Sequence, residues 1–115
     1  RYREAEPFYK LTIESAKVNF GPNRPETAVI HNNFAACLRE MGRFDEAESE
    51  YKTSIDLWQN KVKQPDSTQY AKLLAGYAKL KCERGDYQES LKLYNQALGI
   101  VKKTWAKTMY KMPIC

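Results

Sequence analysis

Residues 42–55 read GRFDEAESEYKTSI and residues 85–98 read GDYQESLKLYNQAL, while the chain opens with a shorter copy, RYREAEPFYKLTI, at residues 1–13. Superposing the three puts Tyr2, Phe44 and Tyr87 in one column and Ala5, Ala47 and Ser90 in the next, followed by Tyr9, Tyr51 and Tyr94, then Ile13, Ile55 and Leu98. The columns repeat after 42 and then 43 residues. A period of this size marks a chain built from copies of one supersecondary unit, none of which can bury its apolar face alone.

Within each copy the apolar residues return at three and four, as Phe44, Ala47, Tyr51, Ser54 with Ile55, Trp58 and Val62 do. That spacing describes the buried stripe of an amphipathic helix, on which Glu48 reads as an outward position. The preceding segment has the same period through Val29 or Ile30, Asn33 with Phe34, Cys37 with Leu38, and Met41, and Gly42 then supplies the left-handed residue that ends a helix. Pro25 with Glu26 and Thr27, and Pro65 with Asp66 and Ser67, read as helix starts. Helices are expected at about 3–20, 26–41, 44–62, 67–84 and 87–106, with no strand. The fold class is all-α: about two and a half stacked pairs of antiparallel helices.

Composition narrows the function. No apolar run approaches the roughly 20 residues of a membrane span. Cys37, Cys82 and Cys115 are too few and too scattered for a disulfide framework or a CxxC metal site, which fits a reducing, intracellular setting. Charge is uneven, with a net of −2 over residues 1–60 and +7 over residues 61–115, so the C-terminal half should attract an acidic partner. Nucleic acid is the lesser alternative, because most aromatic side chains fall on core stripes instead of interleaving with lysines as stacking platforms do. His31 has no nucleophile or carboxylate constellation tied to it and reads as structural or groove-facing. Cys37 reads as a small core residue, and Trp105, in the column of Phe20 and Val62, as an apolar plug at the end of the last helix. Lys102, Lys103, Lys107 and Lys111 read as a solvated helix end. No cofactor, metal or catalytic residue is expected.

The small-x-x-x-aromatic pattern of the second helices (Ala5 and Tyr9, Ala47 and Tyr51, Ser90 and Tyr94) resembles the tetratricopeptide repeat. So does the bulky, small, large order of the first helices: Phe34, Ala35 and Leu38, then Tyr77 and Ala78, with Lys81 departing from the pattern. The long period, with AEPFY, GPNRPETA and HNNFA, is similar to the kinesin-light-chain type. The resemblance implies an α-solenoid coiled as a right-handed superhelix. Residues 1–115 are expected to form a single array: 1–20 as the second helix of a truncated repeat, 26–62 and 67–106 as full repeats, and 107–115 as a tail. A first residue other than Met, inside a repeat, points to a piece of a larger protein.

For function, the resemblance implies a non-catalytic interaction module or scaffold. Its first helices line a concave groove that takes an extended peptide or a helix from another protein. The groove residues are Val29, Asn32, Asn33, Ala36 and Arg39 in one helix and Lys72, Ala75, Gly76, Lys79 and Glu83 in the next. Asn33 matches the family's groove asparagine and would hold a peptide backbone. Lys72 matches a basic residue of the carboxylate clamp of chaperone-binding members, whose arginine has no counterpart because Gly76 stands there. Ala36, Ala75 and Gly76 are expected to leave room for the bound chain. The alternative is a structural or oligomerising segment, with self-association through the first helix, whose Tyr2, Phe8, Tyr9 and Ile13 are expected to be exposed.

Overall fold

The computed structural model describes the backbone of residues 2–63 and 67–111 and the side chains of residues 3–63 and 67–105. Among these, the helices are α1 (Tyr2–Asn19), α2 (Pro25–Glu40), α3 (Phe44–Asp56, continued by a π-helical turn at Leu57–Val62), α4 (Thr68–Glu83) and α5 (Tyr87–Lys111), and there is no strand. The starts and stops follow from local chemistry. Pro25 takes the first position of α2, where its missing N–H costs nothing. The Ser67 hydroxyl caps α4 by accepting from the Gln69 N–H at 3.2 Å, while Pro65 and Asp66 lie outside the described residues. Gly42 and Gly85 end α2 and α4 with φ of 78° and 87°. Beyond them the Arg43 and Asp86 amides reach back to the Leu38 and Lys81 carbonyls at 2.9 and 2.8 Å, closing the last turns.

Two helices differ from expectation. The stripe of α3 is not one unbroken α-helix, because the widened turn at its end lets the adjacent Leu57 and Trp58 both enter the core. It closes with the Lys63 amide on the Trp58 carbonyl at 3.1 Å, and Lys63 itself is left-handed at φ 59°. Helix α5 runs on to Lys111 instead of ending near 106, so residues 107–111 of the expected tail are helical.

Each helix packs on its sequence neighbour, and in α1 and α3 the columns identified in the sequence supply the contacts, whereas Tyr87, Tyr94 and Leu98 of α5 are exposed. Tyr9 stacks on Phe34 and Tyr51 on Tyr77, with ring centroids 5.6 and 5.5 Å apart. Ala47 and Tyr51 are wholly buried. Each full pair is also pinned by a buried hydroxyl: Ser54 donates to the Ala28 carbonyl and Ser90 to the Ala78 carbonyl, both at 2.7 Å. Lys81 is accommodated where a large apolar residue was expected, since its ammonium reaches Glu48 at 3.4 Å and lies 5.3 Å from the Tyr77 ring centroid.

The curvature can be read from which helices touch. Among the described residues, helix α2 contacts α4 across the repeat boundary, whereas no comparable contact joins α1 to α3 or α3 to α5. The first helices therefore crowd together on the inner side and the second helices splay on the outer side. The radius of gyration is 15.4 Å, against about 13 Å for a compact domain of this length, as an elongated stack requires.

The ends of the stack correct two expectations. On α1, Tyr9 and Ile13 are packed against α2, so the exposed stripe is Phe8, Leu11 and Val18, and the Tyr2 side chain lies outside the described residues. Trp105 is no plug: among the described residues it is 65% exposed.

Candidate functional site

The inner face is carried by α2 and α4, whose opposite sides are held in the core by Ala28, Phe34, Ala35 and Leu38 and by Ala71, Leu74, Tyr77 and Ala78. Beside those core positions, the helical period leaves Val29, Asn32, Asn33 and Ala36 and then Lys72, Ala75, Gly76 and Lys79 on the remaining sides of the two helices. Asn33, Lys72, Lys79 and Glu83 are exposed; Val29, Asn32, Ala36, Ala75 and Gly76 are partly buried.

Asn33 lies on the rim of a pocket of about 300 Å³ formed with Ala5, Phe8, Tyr9, Thr12 and Ile30 at the junction of α1 and α2. Val29 lines a second recess of about 370 Å³ with Pro25, Glu26, Ile30 and Gln69, where α2 meets the start of α4. Ile30 is shared by both and forms the ridge between them. The sequence placed Ile30 only as an alternative to Val29 on the core stripe, and the contribution of α1 to the first pocket was missed. The i, i+4 pairing of Phe8 with Thr12 was the available signal.

Two of the expected groove residues are occupied by the fold itself. Arg39 has only 10% of its side chain exposed. It donates through Nη1 to the Tyr51 hydroxyl at 3.0 Å and to the Gly76 carbonyl at 3.2 Å, and through Nη2 to Glu40 at 3.0 Å. Its Nε–H is buried without a hydrogen-bond acceptor, with Glu83 at 4.0 Å. One guanidinium thus ties α2, α3 and α4 together. Its hydrogen bond holds the Glu40 carboxyl below its usual range, and burial pushes the Tyr51 hydroxyl above its own, against the opposing pull of Arg39. Gly76 does not leave room for a ligand. A Cβ there would stand 3.0 Å from the Tyr51 hydroxyl oxygen, so the glycine leaves room for the tyrosine.

A larger cleft of about 580 Å³ lies among α3, α4 and the turn into α5, lined by Asp45, Glu48, Ser49, Lys52, Lys81, Arg84 and Asp86. Five of its six charged side chains pair with one another: Glu48 faces Lys52, Lys81 and Arg84 at 3.3–3.4 Å, and Arg84 also reaches Asp45 at 2.8 Å. Burial alone would raise the Glu48 carboxyl, but Lys52 and Lys81 outweigh it and hold it below its usual range. Glu48 is therefore a joint between repeats and not the outward residue its sequence position indicated. His31 is similarly engaged, 93% buried with Nδ1 2.7 Å from a Glu50 oxygen. Burial pushes the Cys37 thiol above its usual range, which disfavours the nucleophilic thiolate. No cluster of three or more metal-ligating side chains occurs among the described residues.

Antiparallel helix pairs stacked with their first helices inward define an α-solenoid. The tetratricopeptide repeat profile matches residues 1–60 and 26–103, and the chain belongs to that family. Among solved structures, BtubC (BKLC) from P. vanneervenii superposes with a TM-score of 0.80 at 22% identity, over 90% of this chain and 40% of that one. The likeness is one of fold, and this chain spans less than half of that protein's length. Comparison with curated proteins finds no match. Tetratricopeptide repeats are in general protein-interaction modules and in general carry no catalysis.

Proposed function

We propose that this chain binds an extended, acidic segment of another protein along the inner face of α2 and α4. The observation that carries this reading is the contrast between neighbours on that face. Arg39 and Gly76 are consumed by the fold, while Asn33 and Lys72 are exposed and make no hydrogen bond or ion pair with the rest of the described residues. Lys79 is exposed as well, and its field helps hold the Glu40 carboxyl below its usual range. An amide that both donates and accepts suits a peptide backbone whatever its side chains. Two exposed ammonium groups beside it suit carboxylates, and the recesses on either side of Ile30 suit apolar side chains. Val29, Asn32, Ala36, Ala75 and Glu83 shape the floor and edge of the path.

The test is a fluorescence titration of acidic, neutral and basic decapeptides at low and high salt. Acidic peptides should bind most tightly and weaken as salt rises, because exposed charges are screened over about 10 Å at 0.1 M. Asn33→Ala should cost about 0.5–1.5 kcal/mol and keep the salt dependence, whereas Lys72→Ala should flatten it and slow association. Binding that ignores both substitutions sinks the assignment.

A further inference from the structure

The stripe 87, 91, 94, 98, 101, 105 of α5 is apolar throughout, its residues 42–68% exposed. In the repeat columns, Leu91 stands where α1 has Glu6 and α3 has Glu48. Both of those carboxylates lock onto a cation from the next repeat, Glu6 on Arg43 at 2.6 Å and Glu48 on Lys81 and Arg84. Helix α5 has lost that lock and gained a leucine. It also passes straight through the place where α3 unwinds: the column of Val62 and the left-handed Lys63 is continuous helix in α5, up to Lys111. The carboxylate lock of α1 and α3 and the break that ends α3 are thus missing from α5, although Tyr94 keeps the column in which Tyr9 and Tyr51 stack on the next first helix, and the stripe runs on as an uninterrupted alternation of four and three. That alternation is the seam of a two-helix coiled coil.

The seam is self-complementary on reversal. Its spacings read 4, 3, 4, 3, 4 in either direction, so two copies laid antiparallel match layer for layer, and a two-fold contact makes each pairing twice. Charge selects the same orientation, because Asp86 and Glu89 lie at the start of α5 and Lys102, Lys103, Lys107 and Lys111 at its end. Parallel helices would set the two basic ends side by side. Six half-exposed side chains, with roughly 150–250 Å² for each aromatic, bury on the order of 600 Å² per copy. That reaches the lower end of specific interfaces, about 1,200 Å² in total.

We propose that two copies of this chain associate through α5, antiparallel, with Tyr87 against the second copy's Trp105, Leu91 against Val101 and Tyr94 against Leu98. The interface lies apart from the α2/α4 face and does not depend on the peptide reading. Sedimentation velocity of the chain from low micromolar to several hundred micromolar should show the mass rising from 13.4 kDa toward twice that value. Leu91→Glu, which restores the carboxylate of the column, and Leu98→Glu should each weaken association at least tenfold while leaving the circular dichroism melt in place. Leu11→Glu, on the exposed stripe of α1, should leave association intact. For orientation, with Cys82→Ser and Cys115→Ser throughout, mixing Tyr87→Cys with Trp105→Cys chains should give a disulfide-linked dimer that neither forms alone. A wild-type chain that stays monomeric over the whole range overturns the proposal. So does dissociation by Leu11→Glu in place of Leu91→Glu, or cross-linking of either single variant with itself in place of the mixture.

Discussion

Gly76 offers a sharp quantitative test of how the two repeats are joined. Replacing a mid-helix glycine by alanine removes backbone freedom from the unfolded chain and ordinarily stabilises by about 0.4–1 kcal/mol. At Gly76 the new methyl would meet the Tyr51 ring at 3.0 Å from the hydroxyl oxygen, 3.3 Å from Cε1 and 3.4 Å from Cζ. That ring has no free direction, being wholly buried, stacked on Tyr77 and held by Arg39. Overpacking of this kind costs about 1–3 kcal/mol, which exceeds the propensity gain, so Gly76→Ala should destabilise by about 1 kcal/mol net. Gly99 in α5 is the internal control, because a Cβ there meets nothing within 4 Å. Gly99→Ala should stabilise by close to the full propensity gain. Urea unfolding followed by circular dichroism measures both, and a double-mutant cycle with Tyr51→Phe isolates the contact. Removing the hydroxyl relieves the shortest approach, so Gly76→Ala should cost less in the Tyr51→Phe background than alone. Equal stabilisation by the two glycine substitutions would refute the tyrosine-against-glycine joint.

The buried hydroxyls predict a matched pair: Ser54→Ala and Ser90→Ala each lose a 2.7 Å bond to a carbonyl of the paired helix and should each cost about 1 kcal/mol in urea unfolding. The inter-repeat carboxylates predict acid sensitivity. Glu6 is held below its usual range by its hydrogen bond to Arg43, and Glu48 by Lys52 and Lys81 against burial. A carboxyl depressed in the folded state contributes stability that is present above its unfolded pKa and is lost as pH falls through the folded one. The melting temperature should therefore fall below about pH 4.5, and the Glu6→Gln, Glu48→Gln double variant should show a shallower fall.

The parts of this molecule legible in the sequence are those that repeat. Tyr9, Tyr51 and Ala47 announce their burial because a stripe at three and four is a property of one helix, visible without knowing what lies opposite. Lys81 marks the limit. On its own helix it is a polar residue in an apolar column, and only Glu48, 33 residues earlier, and the face of Tyr77 make that position sound. Glu48 is illegible for the same reason, since a carboxylate on an amphipathic helix looks outward until the cations of the next repeat are in place.

The inner face divides by reach. Asn33 and Arg39 both stand on it, but Asn33 ends after two carbons beyond Cα and stays at the surface, while the Arg39 stem is long enough to cross to the Tyr51 hydroxyl and the Gly76 carbonyl. Gly76, in turn, is the residue that lets Tyr51 come close enough to receive it. Periodicity assigns a residue to a face, yet whether it meets solvent or the neighbouring repeat depends on side-chain length and on a void left 37 positions away. For that reason the proposed binding path runs over the short polar and lysine positions of the face and not over its arginine.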